Sequence, residues 1–130
     1  MIRPQLHRVT FLSAGAYNVI WGLVTALYPI WFFRFAGMEP PIYPEIFACL
    51  GMVIGLYGIL YFRIALHLES GYWLALVGLV GKLLGPIGFA VLLFEGKWPM
   101  RSIALILTND VIWWIPFGLY LRDVRQAEVP

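Results

Sequence analysis

Four long apolar segments constrain the fold of this sequence more than any other feature. They cover approximately residues 9–33, 44–62, 71–94 and 102–121. A helix needs about 20 mostly apolar residues to cross a bilayer, and each segment comes close to that length or exceeds it. Each is apolar on all sides apart from isolated polar residues, whereas a helix of a soluble bundle carries a polar stripe. The sequence therefore predicts an all-α integral membrane protein, with one transmembrane domain over residues 1–130.

The connections between these segments are short and contain residues that stop helices. Residues 34–44 (RFAGMEPPIYP) hold three prolines. Residues 63–70 (RIALHLES) hold two charged residues and a histidine, and residues 95–101 (EGKWPMR) hold three charged residues and a proline. Short connections make consecutive helices antiparallel neighbours. We therefore expect an up-down four-helix bundle.

Composition separates this bundle from soluble ones. The chain is 62% hydrophobic and 12% charged, against roughly 45–50% and about 25% in soluble domains. A soluble fold of 130 residues has too little interior to bury that much apolar surface. Lipid is therefore the expected solvent for most of the chain.

The basic residues favour one orientation in the membrane. With four spans, both termini and the middle connection share a side, and the side with more Lys and Arg is usually cytoplasmic. We therefore expect both termini in the cytoplasm. One side carries Arg3, Arg8, Arg63, Arg122 and Arg125, and the other carries Arg34, Lys97 and Arg101.

Glycines on the second and third segments suggest close helix packing. Gly51 and Gly55 are four residues apart, as are Gly81 and Gly85. Small residues at this spacing let two helix backbones approach closely in lipid. The alternative is that glycine is simply frequent in spanning helices. We expect at least one of the two pairs to form a tight helix–helix contact.

Polar residues at matching depth are the main exception to the apolar pattern. At 1.5 Å per residue, Lys82 lies about 17 Å along the third helix, Asp110 about 12 Å along the fourth and Asn18 about 14 Å along the first. Asn109 precedes Asp110. Because a lone charge at this depth costs at least ~2.5 kcal/mol, we predict a Lys82–Asp110 contact, direct or through water.

Tryptophans and a proline surround this polar cluster in the sequence. Pro86 has no N–H, so the carbonyl of Lys82 loses its helical partner and becomes available to the cluster. Buried indole N–H groups need acceptors, and Asp110 or Asn18 could provide them. The tryptophans in question are Trp113 and Trp114, after the Asn109–Asp110 pair, and Trp21, three residues after Asn18.

Two interpretations of the cluster remain open at this stage. Polar residues can fix the order and register of membrane helices, at ~0.6 kcal/mol per contact on average. Ionisable residues inside a membrane are also functional candidates by default. A functional cluster would serve as a proton or ion relay, or as a pocket for a lipid or quinone. Tyr57 and Tyr61, one turn apart on the second helix, could extend a polar path, although packing is their expected role.

Other function classes find little support in the sequence. The net charge is +2 and no basic run exceeds two residues, which argues against nucleic-acid binding. We predict no metal site and no catalytic constellation, since hydrolase, Walker and dinucleotide motifs are lacking. His7 and His67 could bracket a haem, but both fall at predicted helix ends, where interfacial histidines are expected. No cofactor is therefore predicted.

The four-span layout and the glycine-rich helices, with strings such as GMVIGLYG (51–58) and GKLLGPIGF (81–89), resemble the DoxX-like group of small bacterial membrane proteins. This resemblance is one of architecture, covers most of the chain and transfers no functional residue. It implies a bacterial inner membrane and a partnership with oxidoreductases or quinol oxidases. We therefore expect a non-enzymatic subunit or accessory protein of a membrane complex, redox or otherwise, with other subunits or further copies of itself as partners. The alternatives are an oligomeric transporter or proton or ion conductor using Lys82 and Asp110, and a binder of a lipid or quinone between the helices.

Overall fold

The computed structural model describes residues 1–128, and over these residues the chain is helical without strands. Short 3₁₀ turns lie at Leu68–Ser70, Met100–Ser102 and Val111–Trp113. The α-helices are α1 (Pro4–Leu27), α2 (Trp31–Ala36), α3 (Pro44–Leu66), α4 (Tyr72–Phe94), α5 (Ile103–Asn109) and α6 (Trp114–Glu128).

Among residues 1–128, four helical stretches are long and apolar enough to cross a membrane, as the sequence predicts. They are α1, α3, α4 and the segment Met100–Ala127, which contains α5 and most of α6. Large apolar side chains cover their outer surfaces; Leu27 is 83% exposed and Ile115 is 74% exposed. In each helix the buried positions form only part of the surface, so the bundle has an apolar exterior as well as an apolar core.

The ends of the first two long helices differ from the sequence-based bounds. α1 ends at Leu27 rather than near residue 33, because Pro29 disfavours the helical region at Tyr28, which adopts φ −140 and ψ 71. The chain then turns and starts the short helix α2. α3 continues to Leu66, past the charge of Arg63.

The fourth apolar segment is interrupted halfway along its length, where the sequence predicts a continuous helix over 102–121. α5 ends at Asn109, and Asp110 leaves the helical region with φ −123 and ψ −60. Short polar side chains such as those of Asn and Asp compete with helical hydrogen bonds. Pro116 then falls in the first turn of α6, where a missing N–H is harmless.

α1 and α3 form the closest helix pair. A Cβ added at Gly22 would lie 2.5 Å from the carbonyl oxygen of Gly51 and 2.6 Å from the Cα of Gly55, and Gly15 lies similarly against Gly58. The two helices therefore run antiparallel with their backbones in contact. α4 packs against α3 and α6, and α6 packs against α1, which closes the bundle.

The first glycine pair thus makes the expected tight contact, whereas Gly81 and Gly85, the second pair, touch no backbone of another helix among residues 1–128. A Cβ at Gly81 would meet nothing within 4 Å, and one at Gly85 would lie 2.8 Å from a carboxylate oxygen of Asp110. Because α4 is held by side chains rather than by backbone contact, these glycines leave room for the polar cluster instead.

Within the part of the chain that the structure describes, two buried apolar cores lie at opposite ends of the bundle. The first is built mainly from rings and includes Phe11, Tyr61, Phe117 and Tyr120. The second includes Trp21, Phe32, Ala36 and Leu105. The polar residues predicted to cluster lie at the level between them.

An ion-pair cluster closes the end of the first core, on what we call the Asp123 face. Arg3 donates from Nε and an Nη to the two carboxylate oxygens of Asp123, at 2.9 and 2.8 Å. His7 Nε2 lies 2.9 Å from Asp123 Oδ2, and both side chains are fully buried. His7 is thus a buried link between α1 and α6 near the start of α1, because Asp123 follows Tyr120 on the buried side of α6.

The α1–α3 contact gives a direct test of this fold. We expect Gly22→Ala to destabilise the protein by about 1–3 kcal/mol, the usual range for overpacking. The added methyl group would meet backbone atoms of α3, which cannot move aside locally. Thermal unfolding in detergent would measure the loss.

Gly88→Ala is the matched control, because a Cβ there meets nothing within 4 Å. It should leave the unfolding temperature unchanged or slightly raised. Equal behaviour of the two variants would contradict the close packing of α1 on α3.

Candidate functional site

A cavity of ≈360 Å³ lies halfway along the bundle. It brings together four of the residues that the sequence analysis placed at one depth. They come from α1, α4 and the α5–α6 junction, and α3 completes the wall. The lining includes Asn18, Tyr57, Tyr61, Gly85, Lys82, Asn109 and Asp110.

The cavity opens sideways, between α3 and α4. Leu50 and Val53 of α3 and Val77 of α4 line it, and their side chains are 46%, 50% and 53% exposed. Its mouth is therefore apolar and faces the outer surface of the bundle, while its polar groups lie deeper.

Lys82 is buried at the inner end of the cavity, only 5% exposed. Its Nζ donates a hydrogen bond of 2.7 Å to the backbone carbonyl of Asn109. In a continuous helix that carbonyl would accept the N–H of Trp113, but Trp113 donates instead to the carbonyl of Asp110, at 3.1 Å. The interruption of the fourth segment therefore creates the acceptor that Lys82 uses.

Two aromatic rings flank the same ammonium group. Lys82 Nζ lies 5.9 Å from the ring centroid of Tyr61 and 5.9 Å from that of Trp113. A cation within about 6 Å of a ring centroid is attracted by the ring quadrupole. Tyr61, expected mainly to pack, thus also helps to hold the charge of Lys82.

Asp110, at the α5–α6 junction, does not pair directly with Lys82. Among residues 1–128, no carboxylate oxygen lies within 4.0 Å of Lys82 Nζ. Asp110 Oδ1 accepts a 2.9 Å hydrogen bond from Asn109 Nδ2, and Oδ2 lies against Gly85. The direct form of the predicted contact is not made, because the helix break offers Lys82 a backbone carbonyl instead. A Lys82–Asp110 contact through water stays a prediction.

The carbonyl that Pro86 frees is used within the cluster. Trp114 Nε1 donates to Lys82 O at 2.9 Å, which joins α6 to α4 next to the cavity. Trp113 Nε1 donates to Thr108 O at 3.2 Å. Both indoles therefore find backbone acceptors rather than the Asp110 or Asn18 side chains that were expected.

Trp21 does not belong to this cluster, although the sequence analysis grouped it there. It lies nearly one turn beyond Asn18 on α1, in the second core, with its ring centroid 5.9 Å from that of Trp31. Its Nε1 is buried without a hydrogen-bond partner among residues 1–128. Three residues carry Trp21 about 4.5 Å further along α1, to the level of the second core.

Two amide oxygens of the cavity residues are buried and unpaired. Asn18 Oδ1 and Asn109 Oδ1 have no hydrogen-bond partner among residues 1–128. Asn18 is only 4% exposed. Asn18 Oδ1 therefore accepts none of the predicted hydrogen bonds. Because each of these two oxygens has less than 1 Å² of accessible surface, a ligand in the cavity would reach them after a small movement of the two side chains.

The features that sequence reasoning missed have recognisable signals. The helix break follows the run Thr108, Asn109 and Asp110, three side chains that favour non-helical hydrogen bonds.

His7 and His67 line neither this cavity nor a common site, since His7 is bonded to Asp123 and His67 is exposed.

The chain matches no protein-family model, and no curated protein or solved structure matches it either. The resemblance to the DoxX-like group and the expected role as an accessory subunit therefore stay predictions.

The link between Trp114 and the Lys82 carbonyl can be tested by a double-mutant cycle. Trp114→Phe should destabilise the protein by about 1 kcal/mol, the usual value of one hydrogen bond, together with some loss of packing. In a Pro86→Ala background, the new N–H at position 86 would satisfy the same carbonyl. The loss from Trp114→Phe should then shrink measurably.

Unfolding of the four proteins in one detergent would give the coupling free energy. Additive effects of the two substitutions would show that Trp114 does not serve the carbonyl that Pro86 leaves free.

Proposed function

We propose that this chain is a multi-pass integral membrane protein that holds a lipid-soluble molecule in the cavity between its helices. The four long apolar helices and their exposed apolar side chains support the membrane location. In that setting the cavity lies deep in the bilayer, and its apolar mouth between α3 and α4 faces lipid tails. A ligand would enter from the membrane rather than from water.

The observation that carries the proposal is the set of unpaired polar groups around this cavity. A buried polar atom without a partner costs about 1–3 kcal/mol, and Asn18 Oδ1 and Asn109 Oδ1 are two such atoms. A purely structural polar network is expected to satisfy its members. The volume of ≈360 Å³ falls within the ~300–1,000 Å³ of typical ligand sites.

A second candidate, conduction of protons or ions, is favoured by one observation. The fourth segment is interrupted at Asp110, and transporters often build their sites at such breaks. Against it, the ring-filled first core, which includes Phe11 and Phe117, lies between the cavity and the Asp123 face. Ligand binding therefore has the stronger support.

A chain of this size that holds a lipid-soluble molecule would fit an accessory protein of a larger membrane complex. The cavity would present or store the ligand, while partner subunits would carry out any chemistry. Purification from native membranes in mild detergent tests this part of the proposal, since a chain that runs alone would count against it.

Lys82→Met tests ligand binding by the cavity. We expect native mass spectrometry of the wild-type protein, purified in mild detergent, to show a bound lipid-soluble molecule. The variant should lose about tenfold or more in occupancy, because a hydrogen bond to a charged group contributes about 1.5–3 kcal/mol.

Lys97→Met is the control, because Lys97 is 64% exposed and pairs with Glu95 outside the cavity. It should retain the ligand in full. Equal retention by both variants, or no ligand on the wild-type protein, would contradict the proposal. Proton flux into proteoliposomes that disappears in Asp110→Asn would instead favour conduction.

A further inference from the structure

We infer that the molecule held in the cavity carries an uncharged hydroxyl head, as a long-chain alcohol or a phenol does. This inference rests on the proposed function and specifies the chemical class of its ligand. It follows from two properties of the cavity: the balance of charge, and the hydrogen-bonding groups left over in it.

The charges that line the cavity balance each other. Lys82 and Asp110 supply one positive and one negative group, and within the described residues 1–128 the other titratable side chains that line the cavity are Tyr57 and Tyr61. The balance is the same if a proton moves from the lysine to the aspartate. A carboxylate or ammonium head would add an unmatched charge at a buried site, which is strongly unfavourable. The site therefore selects a neutral head.

The cavity needs a hydrogen-bond donor from its ligand. Asn109 Nδ2 donates to Asp110 Oδ1 at 2.9 Å, which fixes the orientation of the amide and makes Asn109 Oδ1 an acceptor. That oxygen has no partner among residues 1–128 and less than 1 Å² of accessible surface, so a ligand would reach it after a small movement of the Asn109 side chain. Asp110 Oδ2, against Gly85, is a second acceptor. A ketone, ether or quinone offers neither of them a proton.

The cavity also needs an acceptor from its ligand. The ammonium of Lys82 has three N–H groups, and its hydrogen bond to the Asn109 carbonyl uses one. A hydroxyl group both donates and accepts, so one neutral head can serve Lys82 and the Asn109 amide oxygen together. Asn18, 4% exposed and with its Oδ1 unpaired, lines the same cavity and adds a further partner.

The apolar mouth completes the recognition. Leu50, Val53 and Val77 would contact a hydrocarbon tail that leaves the cavity between α3 and α4. A tail in that position continues into the surrounding lipid, so chain length is not selected and the head alone decides affinity.

Four compounds with the same tail and different heads test the inference. Full-length protein, stripped of lipid in detergent, would be titrated with hexadecan-1-ol, its methyl ether, hexadecanoate and hexadecylamine. Binding would be followed by native mass spectrometry at equal mole fraction in the micelle. We expect the alcohol to bind about tenfold tighter than the ether, which lacks only the donor, and tighter still than the two ions.

Asn18→Leu separates a ligand-binding asparagine from a structural one. Removing an unpaired buried polar group should leave the unfolding temperature unchanged or higher, while the affinity for hexadecan-1-ol falls several-fold. A lower unfolding temperature with unchanged affinity would show that Asn18 is structural, and would overturn its part in the inference.

The outcomes separate this inference from the proposed function. Tighter binding of hexadecanoate or hexadecylamine would overturn the neutral head, and equal binding of ether and alcohol would overturn the donor, yet both would leave a ligand site. If no compound binds and the native protein carries no ligand, the proposed function itself is overturned.

Discussion

The hydrogen bond from Lys82 to the backbone carbonyl of Asn109 is the interaction on which the rest of the site depends. It exists because the fourth apolar segment leaves the helical conformation at Asp110. The N–H of Trp113 therefore donates to the carbonyl of Asp110 and leaves that of Asn109 free. Through that single change, a buried lysine gains an acceptor without a direct carboxylate partner. The aspartate is thereby left free to turn its second oxygen toward α4 and the cavity.

The packing of the bundle explains why a cavity can persist at this level. α1 and α3 touch along their backbones, where Gly22 lies against Gly51 and Gly55, so this pair is rigid. α4 is instead held by side chains, including the bond from Trp114 to the Lys82 carbonyl. The polar residues therefore lie between the tight α1–α3 pair and the more loosely packed α4. The cavity opens beside α4, where the packing is looser.

Much of the architecture could be predicted from sequence, because long helices that are apolar on all sides can be recognised from composition and length. The common depth of Asn18, Lys82 and Asp110 also followed from a fixed rise per residue. The direct partner of Lys82 could not be predicted: opposite charges suggested Asp110, whereas the structure places the freed carbonyl of Asn109 at 2.7 Å from Lys82 Nζ. Gly85 was assigned to helix packing from its spacing to Gly81, whereas in the structure it lies against the Asp110 side chain. Sequence spacing cannot show whether a small residue faces a backbone or a side chain.

The most direct test of the account is an experimental structure of the protein purified from its native membrane into lipid nanodiscs. The account predicts density for an elongated molecule between α3 and α4, with its polar end within hydrogen-bond distance of Lys82 Nζ and Asn109 Oδ1. A collapsed cavity, with Lys82 paired directly to the Asp110 carboxylate and the α5–α6 segment continuous, would contradict it.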